Sequence, residues 1–413
     1  MNALTSLGLI LLLALLAGHL VKFIRIPEVT GYIIAGIVLG PSVLGWVSQE
    51  NLTALEILSE VALGLMLFSI GTVFELDRLR RTGRQFLIIT LVESALAASI
   101  VTVGMLALGQ PWQVAFLLGA VAIATAPAST LMVIRETDSS GPLTEILLGI
   151  IAINNVFCIV AYSLVASAID LTAALDSGNL LHSVYVSLFP LVWQLVGSVA
   201  LGYIVGVVLS AWSSQVTETG EMLILLAGSI LLCVGAARMM DLSTLIASMA
   251  VGATMTNLSK GSRRLFATLS GTDPPFYAIF FVLAGADLDI ALVRSLGWLG
   301  AIYILGRALG KFVGARVASR HLSLPPAVQR FLGFALLAQA GLAVGLTLSI
   351  ERRFEDHAPI VSAIVLASVA IYEMFGPIAT RYALIQSGEA RLVPTKPSDA
   401  GTDASLLEPP GVS

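Results

Sequence analysis

Charge is what this chain has least of: Asp, Glu, Lys and Arg make up 12% of its 413 residues, about half the share of an ordinary soluble protein. With 57% hydrophobic residues and a mean hydropathy of +0.93, a water-soluble globule is excluded and an all-α polytopic membrane protein is expected. Cysteine is scarce too. Cys158 and Cys233 both lie inside apolar runs, which excludes a disulfide framework and a thiolate metal site. A net charge of -4 and the lack of any basic stripe with interleaved aromatics exclude nucleic acid as a partner. No basic residue precedes the first apolar run, whereas Lys22 and Arg25 follow it, so the N-terminus does not read as a signal peptide. Asp287 and Asp289 sit near a span end without a nucleophile, a base or metal-ligand spacing, so an enzyme is the least supported class. No cofactor and no resident metal are expected.

At about 20 apolar residues per crossing, the sequence divides into about thirteen spans. With the N-terminus outside, sixteen of the 22 Lys and Arg residues fall on the cytoplasmic side, four (Arg238, Arg294, Arg352 and Arg353) fall outside, and two lie within spans. A bias of that size over short loops orients a membrane protein, here with the C-terminus cytoplasmic. The transmembrane domain is expected over 1–385, followed by a polar, Pro-rich disordered tail over 386–413.

Within the spans there is an internal echo. Ala35 to Gly40 reads AGIVLG and Ala247 to Gly252 reads ASMAVG; LFSIGTVFELDRLR from Leu67 matches FVLAGADLDIALVR from Phe281. The offset is seven spans, and an odd offset reverses orientation. Repeat one (1–170) and repeat two (222–385) are therefore expected to be inverted copies, joined by a linker helix at 184–212. Chance similarity between Gly- and Ala-rich helices is the competing explanation.

The middle of the fifth span reads Thr125-Ala126-Pro127-Ala128-Ser129-Thr130. Pro127 has no N–H, so the carbonyl of Ile123 loses its helical partner where lipid offers no replacement. A helix broken there is expected to be buried in protein or to line a cavity. If the halves are inverted copies, the twelfth span needs a matching break, and it has Gln339 and Gly341 to Gly345 at mid-depth. The half-helix ends would then cross at the midplane, unless the glycines serve close packing instead. Asn154 and Asn155 lie side by side in the sixth span, where two amides need partners. In the eleventh, Arg307 and Lys311 share a face four residues apart, beside a stripe of Gly306, Gly310 and Gly314. Lys311 either snorkels to the inner surface or points inward. Arg307 is expected to pair with Glu373, or else with Glu93, as a functional site or as an architectural clamp.

Six stretches resemble one family in order along the chain: IPEVTGYIIAGIVLGPSVLG from Ile26, LGLMLFSIGTVFELDRLR from Leu63, ATAPAST from Ala124, PFYAIFFVLAGADLDI from Pro275, GFALLAQAGLAVGL from Gly333 and YEMFGPIATRYAL from Tyr372. They are similar to the cation:proton antiporter superfamily, nearest to its Kef-type branch of monovalent cation exchangers. The resemblance implies a homodimer whose core domain, with the crossed helices, moves as an elevator in the inner membrane. It also implies a sixth-span pair ending in an ion-binding aspartate. This chain departs there, with Asn154 and then Asn155, and with Ile150 where electroneutral relatives place an acid. An amide cannot titrate, and it offers a cation a dipole in place of a charge.

Three functions compete. A monovalent cation (sodium or potassium):proton antiporter would use Thr125, Pro127, Ser129, Asn154, Asn155, Arg307, Lys311, Gln339 and Glu373 as its site, with Glu93 or Glu373 exchanging the proton; its partners would be lipid, cation, proton and a second copy. A transporter of the same fold for an anion or neutral solute would exploit Arg307 and Lys311. A membrane sensor would keep the fold without transport.

Overall fold

The computed structural model of the chain describes residues 2–24, 26–175, 189, 192–216, 218–259, 274–288 and 297–391. Among these residues the secondary structure is helical throughout. The helices are α1 (Ala3–Phe23), α2 (Glu28–Leu39), α3 (Gln49–Ile70) with a 3-10 turn at Gly71–Phe74, α4 (Leu76–Ala107), α5 (Trp112–Ala122), α6 (Pro127–Glu136) and α7 (Pro142–Leu175). They continue with α8 (Ser198–Ser213), α9 (Thr219–Met239), α10 (Thr244–Leu258), α11 (Pro274–Ala286), α12 (Gly297–His321), α13 (Pro326–Ala335), α14 (Gly341–Arg353) and α15 (Ala358–Gln386). Among the described residues eight helices are long and apolar enough to cross a membrane, taking α5 and α6 together as one and counting α8 with the helical turn that precedes it from Trp193. The other helices fall where further spans are expected. The start of the linker (184–188, 190 and 191), Asp289 with the end of the tenth span, and 392–413 lie outside the described residues.

The paired motifs place glycine where two backbones touch. A Cβ on Gly36 would lie 2.1 Å from the Val282 carbonyl oxygen, and one on Gly285 would lie 2.3 Å from that of Ile33, so α2 and α11 cross backbone to backbone. Gly71 and Gly252 do the same for the end of α3 against α10, at 2.3 Å from Met249 O and 2.0 Å from Phe68 O. Under an offset of seven spans the helix pairs of these two crossings would correspond, with Gly36 four residues from Gly40, the counterpart of Gly252 in the matched stretches. A third close crossing joins α4 to α12, where a Cβ on Gly310 would sit 2.4 Å from Ala97 Cα and one on Gly314 would sit 2.4 Å from Glu93 Cα.

Two groups of helices result. α1 to α3 pack with α8 to α11, and α4 to α7 pack with α12 to α15. They meet along α2 and α3 on one side and α6 and α15 on the other. At the end of α15 the chain turns back onto α7: the Glu389 carboxylate accepts from the backbone N–H of Leu143 (2.6 Å) and Thr144 (2.8 Å). An acid at the first turn of a helix satisfies donors that have no intrahelical acceptor.

Candidate functional site

The break begins where the sequence places it. α5 stops at Ala122, Ile123 to Ala126 leave the helical path, and Pro127 opens α6 as its first residue, a position where a missing N–H costs nothing. On the other side α13 ends at Ala335 and α14 begins at Gly341. The two links cross, and the Ala126 N–H donates to Ala338 O at 2.9 Å. Gly376 of α15 abuts this point, since a Cβ there would lie 2.7 Å from Ala338 Cα. Gly341 and Gly345 have nothing within 4 Å of an added Cβ. Their part is therefore to weaken the helix, and the close-packing alternative is set aside.

A helix end leaves carbonyls without donors, and here two such ends meet in a dry interior. Side chains from α12 and the α13–α14 link supply the donors. Arg307 donates from Nε to Ala122 O (3.1 Å), from Nη2 to Ala124 O (2.6 Å) and Ala338 O (3.3 Å), and from Nη1 to Leu337 O (2.7 Å). Lys311 Nζ donates to Ile123 O at 2.6 Å, the carbonyl that Pro127 leaves unserved, and to Thr125 Oγ1 at 2.9 Å. Gln339 Nε2 donates to Val121 O (3.2 Å) and to the Tyr303 hydroxyl (3.0 Å). The Tyr372 ring covers the Arg307 guanidinium, with 4.3 Å from Cζ to the centroid.

Arg307 does not pair with Glu373 or Glu93. The ion pair is Lys311 with Glu93, Nζ to Oε2 at 2.8 Å, with both side chains fully buried. The physical reason lies in the glycine stripe. It presses α12 onto α4 at Glu93, so the fourth span's acid is beside Lys311, while Arg307 reaches the crossing itself. Two helix C-ends of about half a negative charge each balance the guanidinium without a carboxylate. Lys311 therefore points inward, and the snorkelling alternative is excluded by its full burial.

Asn154 completes the group. Its Nδ2 donates to Glu93 Oε1 at 2.6 Å and to Ser94 Oγ at 3.1 Å, and Ser94 donates to the same Glu93 oxygen at 3.2 Å. The site thus unites Glu93, Lys311, Thr125, Asn154, Arg307 and Gln339, all buried, on three helices (α4, α7 and α12) and two links. Other candidates stand apart from these bonds. Ser129 Oγ, Asn154 Oδ1, both polar atoms of Asn155 and both oxygens of Glu373 are buried without a hydrogen-bond partner among the described residues. Tyr303, Tyr372 and Ser94 were not singled out from the sequence. A tyrosine one turn before Arg307 and another beside Glu373 were the available signals.

The model of the sodium/hydrogen exchanger transmembrane family matches residues 8–381. The chain belongs to that family. As a family member it is 27% identical over 391 residues to a glutathione-regulated potassium-efflux system protein of Haemophilus influenzae, covering 90% of this chain and 60% of that protein. It is 20% identical over 391 residues to the K(+)/H(+) antiporter subunit KhtU of Bacillus subtilis, covering 91% and 92%. The chain thus spans only about three fifths of the Haemophilus influenzae protein. In fold, this exchanger-family chain is similar to the sodium proton antiporter MjNhaP1 of Methanocaldococcus jannaschii, with TM-score 0.70, 15% identity, and 95% and 99% of the two chains covered.

Proposed function

We propose that this chain exchanges a monovalent cation, sodium or potassium, for a proton by alternating access, as a homodimer in the inner membrane with its N-terminus outside. Its two halves, 1–170 and 222–385, act as inverted copies around the crossing. One observation carries the reading: a fully buried carboxylate, Glu93, pairs with a single ammonium, Lys311, beside two broken helices. A carboxylate whose counter-ion is an amine on a flexible stem can take a small cation in the amine's place. Lys311 would keep the Ile123 carbonyl and the Thr125 hydroxyl when the cation arrives. Asn154 holds the other Glu93 oxygen and fixes the carboxylate's plane. Glu93 thus supplies the charge that Asn155 lacks.

The anion reading depended on Arg307 and Lys311 being uncompensated. Five carbonyl oxygens, the Thr125 hydroxyl and Glu93 occupy them, which favours the cation. The test is flux in proteoliposomes loaded with a pH indicator, under imposed sodium or potassium gradients. Cation-dependent proton movement is expected in the parent, in Glu93→Asp with altered cation affinity, and not in Glu93→Gln. Exchange that persists unchanged in Glu93→Gln refutes the reading.

A further inference from the structure

Glu373 is buried in the middle of α15, and neither carboxyl oxygen has a hydrogen-bond partner among the described residues. The helices packed on α15 are α2, α5, α6, α12, α13 and α14. Their titratable groups are engaged with other partners or lie at the ends. On α2, Tyr32 donates to Glu28. On α6, Glu136 accepts from the Glu28 N–H and Arg135 lies over the Tyr277 ring. On α12, Arg307, Lys311 and Tyr303 are held at the crossing, while Arg316, Arg320 and His321 belong to its last turns. Arg330 of α13 and Glu351 of α14 are exposed, Arg353 pairs with Asp170, and α5 has no titratable residue. On α15 itself, Tyr372 donates to Ile304 O, and Arg381 and Tyr382 lie two turns further on.

With no cation bound nearby, an ionised carboxylate in that position would carry a buried charge without compensation, which is costly in a membrane interior. Resting on the antiport reading above, we propose that Glu373 is the group that carries the exchanged proton, neutral when the cation site is empty and ionised when it is filled. The balance is one for one. The cation adds one positive charge to the core as it binds at Glu93; the Glu373 O–H bond breaks, its electron pair stays on the carboxylate, and the proton leaves to water. Net charge in the core is the same in both states, so whatever charge one passage carries the return passage carries back, and the full cycle moves no net charge across the membrane. The exchange is then electroneutral, and Glu93 and Glu373 divide between them the two tasks of a single aspartate in the resembling family.

The test uses the full chain in proteoliposomes. In Glu373→Gln the cation:cation tracer exchange persists, while proton movement per cation falls at least tenfold and the flux loses its dependence on pH; Glu373→Asp restores coupling. The parent's flux is indifferent to an imposed membrane potential. Parental coupling in Glu373→Gln, or potential-driven flux in the parent, overturns the proposal, as does a Glu373→Gln variant that folds but loses tracer exchange as well. Should that variant fail to fold, infrared difference spectra of the parent decide: cation addition must remove a protonated-carboxyl band that shifts in Glu373→Asp, and a spectrum without such a band overturns the assignment. A parent that exchanges no cation refutes the antiport reading instead, and the infrared measurement in varied pH still reports on Glu373.

Discussion

Replace Lys311 by methionine, and Glu93 keeps its carboxylate but loses the ammonium 2.8 Å away. At an effective dielectric of about 20, two unit charges at that separation attract by about 6 kcal/mol. Desolvating both ions offsets much of this, so the pair contributes little net stability, but removing one member strands the other. The bonds from Asn154 and Ser94 remain and soften the loss. Lys311→Met and Glu93→Gln are each expected to cost about 3–5 kcal/mol. The double variant, close in volume and free of charge, should cost no more than about 2 kcal/mol, because neither partner is left ionised and alone. The assay is thermal and denaturant unfolding of the four proteins in one mild detergent. From these figures a coupling energy of at least about 4 kcal/mol is expected from the cycle. Losses that simply add in the double variant would refute the pairing as an energetic unit.

Arg307→Met removes four donor contacts to buried carbonyls, of which Ala338 O keeps the Ala126 N–H, at about 1.5–3 kcal/mol for a charged bond. Unfolding in detergent should show it as more damaging than Lys311→Met, and Arg307→Lys should not rescue it, since one ammonium cannot reach both links. Asn155→Asp introduces a titratable group into a buried position that accepts no bond now, so flux across a pH series gains a titration step absent from the parent; Asn155→Ala weakens transport without adding one. Gly285→Val drives a side chain into the Ile33 carbonyl, 2.3 Å from the first added carbon, and should abolish expression of folded protein. Gly345→Ala meets nothing within 4 Å and should stabilise α14 by about 0.5–1 kcal/mol in the same detergent melts.

The break at Pro127 was legible because the ring removes a donor by covalent structure, and the orphaned Ile123 carbonyl followed from that alone. The twelfth-span break followed from symmetry together with its glycines. Gly40 with Gly252 and Gly71 with Gly285 were visible as repeated letters, whereas Gly36 stands opposite Ser248; the role of Gly36, Gly71, Gly252 and Gly285 as backbone crossings emerges from the fold. The choice of partner for each cation was not legible. Arg307 and Lys311 sit on one face, and only the docking of Gly310 and Gly314 onto α4 decides which one reaches Glu93. Reading a carboxylate as the necessary partner of Arg307 also overlooked helix ends as counter-charges, because carbonyl dipoles have no letter in a sequence.

Arg307 binds carbonyls on both broken strands at once, and that has a mechanical meaning. A guanidinium is a rigid plane, so Ala122 and Ala124 on one link and Leu337 and Ala338 on the other are fastened to a single plate. Neither half-helix can slide, tilt or rewind without tearing bonds that have no substitute in hydrocarbon. The crossing is therefore tied into one unit, and under the proposed exchange relative motion would fall to its perimeter. There α2 and α3 touch α6 and α15 largely through apolar side chains, surfaces that can slip past one another and close again at small cost.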